Sequence, residues 1–149
     1  MNAMTDPRLE GFHPIHELMH RIKASGNEWP KVRLAFRDTD LILSVAGDRS
    51  RNPGAVNLTD GGGYGNNRYF GRIYGSGKLE MAPAARKLEP EDKAALWSIL
   101  SRMRNGEAEE VFAEHGHRFG TCAMCGRELT NDESIRLGIG PVCRKRAFA

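Results

Sequence analysis

Every cysteine in the chain lies within CAMCGRELTNDESIRLGIGPVC, between Cys122 and Cys143. C-x-x-C followed by Gly126 and Arg127 makes a tight turn in which both thiolates face one metal. A left-handed Gly126 would bring backbone N–H groups toward the sulfurs. Cys143, after GIGP, is read as opening the last short helix, where the dipole favours a thiolate. Seventeen residues separate Cys125 from Cys143, room for a small hairpin to close the site. Three cysteines cannot all pair in disulfides, and in a reducing compartment close cysteines are more often metal ligands or free thiols, which favours zinc over a disulfide framework. The expectation is therefore one structural Zn²⁺ held by Cys122, Cys125 and Cys143.

A tetrahedral zinc needs a fourth ligand, and the sequence after Cys143 offers no side chain for it. Upstream, His115 continues the Val111/Phe112 face of a helix read as ending at Gly116. His117 then falls in a loop, freer to turn toward the metal. His117 is the expected ligand, with His115 as the alternative. Asp132 would also serve, as would a water completing an open site, and an open site would favour chemistry over structure.

Charge points the same way along the chain. From Arg118 onward six basic residues (Arg118, Arg127, Arg136, Arg144, Lys145, Arg146) face three acidic ones (Glu128, Asp132, Glu133). Since the net charge of the whole chain is +3, the entire excess sits in the cysteine-bearing tail. Such a tail suits phosphate or an acidic partner, and Arg127, Arg136, Arg144, Lys145 and Arg146 are the candidate nucleic-acid contacts. The competing reading is that these cations neutralise thiolates and keep the surface soluble.

The rest of the chain reads as an α+β domain with an antiparallel sheet of about four to five strands. Phe12, Ile15, Met19 and Ile22 share one side of a helix that Gly26 ends. KVRLAFRD and LILSVAG alternate as a hairpin across Asp38-Thr39-Asp40. AVNLT is a short strand, DGGGYGNN a flexible loop, and NRYFGRIYG with GKLEMA a second hairpin around Gly75-Ser76-Gly77. A helix starts at Pro90 and closes at Gly106, and a second one spans EAEEVFAEH. The expected divisions are a flexible N-terminus over 1–10, the α+β domain over 11–106, and helix plus knuckle and basic tail over 107–149. Met1 to Ala3, just before a second methionine, read as an expression remnant. No apolar run approaches the ~18 residues that cross a bilayer and no signal peptide is visible, so a cytoplasmic location away from membrane is expected.

Two further motifs carry chemistry on paper. HELMH, from His16 to His20, matches the helical H-E-x-x-H of zinc peptidases. On the helical wheel, however, His13, His16 and His20 run along one flank, away from the face that must be buried. Glu17 has an ordinary i+4 partner in Arg21, so a solvated polar flank is the favoured reading. In RYFGRIY the rings loosely suggest the aromatic strand of an RNA-recognition fold. Alternation that buries Phe70 and exposes Arg68 and Arg72 is the simpler reading. The glycines of DGGGYG do not fit a phosphate loop.

The tail resembles a family of uncharacterised proteins common in bacteriophage, plasmid and bacterial accessory genomes, which end in C-x-x-C-x-R-x-L-T-x-x-x-S-x-x-x-G-[YI]-G-P-x-C. The matching residues are Cys122, Cys125, Arg127, Leu129, Thr130, Ser134, Gly138, Gly140, Pro141 and Cys143. PKVRL, PGAVNLTDGGGYG and NRYFGRI are similar to segments upstream of that tail in some members, whereas HELMH is not part of the likeness. Members often carry another cysteine where this chain has Ala123. The resemblance implies a mobile-element setting and names no reaction. The expected function is a non-enzymatic, zinc-stabilised accessory protein that binds nucleic acid through its basic tail. The alternative is a protein-binding factor that inhibits a host enzyme or defence complex, and the third reading is a metal hydrolase using HELMH.

Overall fold

The alternating segments pair as an antiparallel meander in a computed structural model that describes residues 7–26, 29–37, 39–60 and 68–148. After a 3-10 turn at Pro7–Leu9 come α1 (His13–Ala24), β1 (Lys31–Phe36), β2 (Thr39–Val45), β3 (Val56–Thr59), β4 (Tyr69–Ile73) and β5 (Leu79–Met81). Then follow α2 (Pro83–Arg86), α3 (Pro90–Arg104), α4 (Ala108–Phe119), α5 (Asp132–Leu137) and α6 (Pro141–Phe148). The five strands lie in sequence order. The fold is α+β, as the order of elements implies. The expected flexible N-terminus lies largely outside the described residues, as do Asp38 and most of the glycine-rich loop.

Period-2 alternation decides what each face of the sheet meets. Val32 pairs with Leu43, Leu43 with Leu58, and Val56 with Ile73, so one face is continuously apolar. Helix α1 crosses β2, β3 and β4 on that face while α4 covers β1. Their buried side chains, Ile15, Met19 and Ile22 from α1 with Val111 and Phe112 from α4, complete one core. Each large side chain fully buried there contributes about 1.5–3 kcal/mol. The opposite face is polar: the Arg72 Nε–H donates to the Tyr69 hydroxyl at 2.6 Å and lies 3.7 Å from Glu80. Phe70 is buried, Arg68 is exposed and pairs with Asp60, so RYFGRIY serves the sheet.

Several local readings are corrected. Thr39 and Asp40 belong to β2, paired with Phe36 and Ala35, so neither is part of the turn. Arg37 takes φ 53°, the left-handed conformation that two-residue hairpins demand. Helix α2 is an unanticipated turn, opened by Pro83. Among the described residues no helix is long and apolar enough to cross a membrane.

The HELMH flank is also less solvated than its wheel suggests. The His16 and His20 rings stack at 4.2 Å, half-buried, and the His20 Nε2–H donates to the Gly54 carbonyl at 2.7 Å. Burial first, and then the neighbouring His20, lowers the pKa of His16. Arg21 donates to the Ala147 carbonyl at 2.8 Å, fastening α6 to α1. The flank thus docks the loop after β2.

Candidate metal centre

Helix α4 runs past Gly116 to Phe119 and is capped by Gly120 at φ 71°. Gly116 is therefore no stop signal. Its missing side chain is a packing requirement, since a Cβ there would lie 2.0 Å from the Gly138 carbonyl oxygen. This backbone-to-backbone approach seats the α5–α6 corner on α4.

Beyond Gly120 the chain makes the tight turn expected of C-x-x-C-G, the knuckle of the sequence reading. Thr121 bridges Glu128, the Cys122 N–H donates to the Arg127 carbonyl at 2.9 Å, and the Gly126 N–H returns to the Cys122 carbonyl at 2.9 Å. Gly126 has φ 74°, the left-handed turn that the sequence requires. The Arg33 N–H donates to the Ala123 carbonyl at 2.7 Å, so the knuckle closes the open edge of β1. In place of the hairpin expected between Cys125 and Cys143 stands α5, capped by the Asn131 side chain accepting from the Ser134 N–H at 2.8 Å. The signal was legible in T-N-D-E-S, an Asn cap followed by two acids in the first turn. Gly138, at φ 73°, ends α5, and Pro141 starts α6 with Cys143 in its first turn.

These elements bring the ligand atoms of Cys122, Cys125 and Cys143 within 4.8 Å of one another. Three thiolates on a tetrahedral metal sit about 3.8 Å apart for Zn–S bonds of ~2.3 Å, so the donor set fits zinc with slight contraction. Cys122 and Cys143 are buried, Cys125 is exposed, and none is in a disulfide. The Cys122 thiol is drawn down to about 4, first by the hydrogen bond from Cys143, then by backbone N–H groups of Gly140, Cys125 and Met124, against the opposing effect of burial. Cys143 is pushed up because it supplies that proton, and burial adds to the rise. The amide arrangement around Cys122 stabilises a thiolate before any metal arrives.

All three cysteines line one cavity of about 360 Å³, whose wall includes Thr130, Asn131 and Val142 and whose cationic members are Arg127 and Arg146. Neither histidine joins the cysteine cluster. His117 lies on the last turn of α4, not in a loop, and its Nε2–H donates to the Arg136 carbonyl at 2.7 Å. His115 is buried, with Nε2 3.5 Å from the Thr121 hydroxyl and Nδ1 unpartnered. Burial lowers its pKa and keeps it neutral. Asp132 stands in the first turn of α5, exposed.

The basic residues divide. Arg127, Arg136, Lys145 and Arg146 are exposed, but Arg144 is committed to Glu109 on α4 at 2.7 Å. Compared with known families, residues 112–148 match a family of unknown function (DUF6011), a span that contains the whole knuckle, α5 and α6. No curated protein and no solved structure gives a match.

Proposed function

We propose that the chain is a non-enzymatic accessory protein of mobile-element type, stabilised by one zinc ion, whose knuckle surface binds nucleic acid. The observation that carries this reading is the meeting of Arg127 and Arg146 at the cavity of the cysteine triad, with Lys145 and Arg136 exposed on the flanking helices. Three thiolates and Zn²⁺ leave a net charge of about −1, which one of the two arginines offsets. The remaining cations are free to meet phosphate. Replacing Arg127, Lys145 and Arg146 by alanine should lower the slope of log affinity against log salt by up to about two, since one arginine is taken up by the metal site and each lost phosphate contact releases roughly one fewer counterion. Arg144→Ala should leave the slope where it is, because that guanidinium is already paired. An unchanged slope in the triple variant would assign these cations to solubility.

The fourth position is proposed to face the cavity and be filled from solvent, because the three cysteines line that cavity and neither histidine does. An open position is also what a hydrolytic zinc would need, so the non-enzymatic reading further requires the zinc-loaded protein to be inert toward ester and phosphodiester substrates. X-ray absorption should then show three sulfurs and one light atom that survives in both His115→Ala and His117→Ala. Loss of the light atom in either variant would name that histidine as the ligand.

Ile135 on α5 and Val142 on α6 are 50% and 63% exposed, which favours a second reading, a protein partner at the same end of the molecule. A host complex that survives nuclease treatment and is lost in Ile135→Asp with Val142→Asp would support it over nucleic acid. HELMH supplies no peptidase site in this reading, since the His16 and His20 rings stack on each other and His20 fastens the loop at Gly54.

A further inference from the structure

The three thiols differ in what can reach them. Cys125 is exposed, whereas Cys122 and Cys143 are buried. A small oxidant dissolved in water therefore meets Cys125 first, and a sulfur that serves as a metal ligand is a thiolate, the form that reacts.

The two possible partners of Cys125 are held in different ways. Cys122 shares its turn: the Cys122 N–H donates to the Arg127 carbonyl and the Gly126 N–H to the Cys122 carbonyl, both at 2.9 Å. The N–H of Cys125 itself points at the Cys122 sulfur. No atom lies within 4 Å of the place that a Cβ on Gly126 would take, so the turn has room to tighten. Cys143 stands on α6, which is fastened elsewhere, through Arg21 to the Ala147 carbonyl at 2.8 Å and through Arg144 to Glu109 at 2.7 Å. The three ligand atoms lie within 4.8 Å of one another, and an S–S bond of about 2.05 Å requires two of them to close further. Cys125 closes on Cys122 by adjusting one turn. Closing on Cys143 would move a helix against its anchors.

We propose that Cys125 is a site of reversible oxidation by peroxide, resolved by Cys122 as a disulfide within the turn. The Cys125 thiolate attacks one peroxide oxygen, the O–O bond breaks, and a sulfenic acid and hydroxide result. The Cys122 thiolate then attacks the Cys125 sulfur, the S–O bond breaks and a second hydroxide leaves. Both hydroxides end as water, so two thiols have passed two electrons and two protons to one peroxide. Two of the three metal-binding sulfurs are thereby withdrawn, and Cys143 alone does not retain zinc. The anchors of α6 do not involve the metal, so the knuckle parts from α6, taking Arg127 away from Arg146. Zinc release and the weaker nucleic-acid binding that follows rest on the function proposed above, whereas disulfide formation does not.

The test treats the purified protein, its zinc counted beforehand, with hydrogen peroxide near neutral pH. With dimedone present, which traps sulfenic acids, the label should map to Cys125. Without it, the protein should lose about 2 Da, recovered with dithiothreitol, and peptide mapping should join Cys122 to Cys125. Zinc should leave in step with the mass change. Cys143→Ser should still form the disulfide, while Cys122→Ser should accumulate the dimedone adduct at Cys125. A protein that holds no zinc as purified but gives the same label and cross-link would refute the metal and uphold this site. A first label at Cys122 or Cys143, a cross-link to Cys143, or an unchanged mass would overturn the proposal.

Discussion

The body of the molecule and its tail are held together by different means. From α1 to α4 the core contains large, fully buried side chains, among them Phe12, Phe70, Phe112 and Met19. From Thr121 onward the buried set is Cys122, Ala123, Leu129, Ser134, Ile139, Cys143 and Ala147, mostly small and including two thiols. Both sets join one continuous cluster, but the tail's share of it is made of smaller side chains. Where the body relies on burial, the tail relies on thiols, glycine contacts and a few anchors to the body. If the proposed metal is bound, the tail's order is conditional on it and the body's is not.

The largest expected effect breaks that comparison or confirms it. Cys122→Ser, or a strong chelator on the wild type, should release the metal and abolish hydrogen-exchange protection at Cys122, Gly126 and Leu129. Apparent binding energies of structural zinc reach about 10–16 kcal/mol in isolated fingers, far above what a short segment of this composition gains from burial. The amides of β2 and β3 should keep their protection. If they exchange together with the tail, the shared core makes one cooperative unit and the contrast fails.

Next in size is Gly116→Ala. The new Cβ would meet the Gly138 carbonyl oxygen at 2.0 Å and its Cα at 2.5 Å, and backbone on both sides cannot give way. A loss of at least about 1–3 kcal/mol is expected, with weaker zinc binding because the α5–α6 corner lifts from α4. Gly126→Ala meets no atom within 4 Å but must hold φ 74°, so its cost should stay near the ~1–2 kcal/mol of a left-handed residue. Chemical denaturation of the zinc-loaded variants would rank the two. The reverse order would mean that the helix contact is softer than it looks.

These glycines also mark what could be read in advance. Strand alternation, the start of α3 at Pro90 and its end before Gly106, the C-x-x-C-G turn and a last helix opening around Cys143 are local properties, set by side-chain period and backbone conformation, and all were legible. Gly116 looks the same in sequence whether it ends a helix or admits another backbone, and only the tertiary contact with Gly138 distinguishes the two. The error over Gly116 displaced His117 from helix to loop. The HELMH flank failed likewise: stacking with His20 and capture of the Gly54 carbonyl depend on a loop 34 residues away.

A smaller effect belongs to that flank. His20→Ala removes a half-buried hydrogen bond between α1 and the loop after β2, and should cost about 1 kcal/mol. Glu17→Ala, on the exposed side, should change stability by less than ~0.5 kcal/mol. Thermal melts of the two variants decide this. Equal losses would mean that the flank acts through its charge and not through the bond to Gly54.

The last and smallest effect is one of pH. Burial and the adjacent His20 lower the pKa of His16, and burial lowers that of His115, so the fold favours both imidazoles neutral. Below the ordinary value of 6.5 the unfolded chain takes up protons that the native state resists. Stability is therefore complete above about pH 6.5 and declines as pH falls toward the lowered native values. The two histidines sit in different regions, which lets the comparison be sharpened. In the body, amides of α1 should lose protection between about pH 7 and 5, and His16→Gln, which cannot titrate there, should flatten that loss. In the tail, metal release by protonation of thiolates adds to the response, so His115→Gln should leave most of its pH dependence in place. Rising protection of α1 as the pH is lowered would reverse the sign and show that protonated His16 gains a partner in the fold.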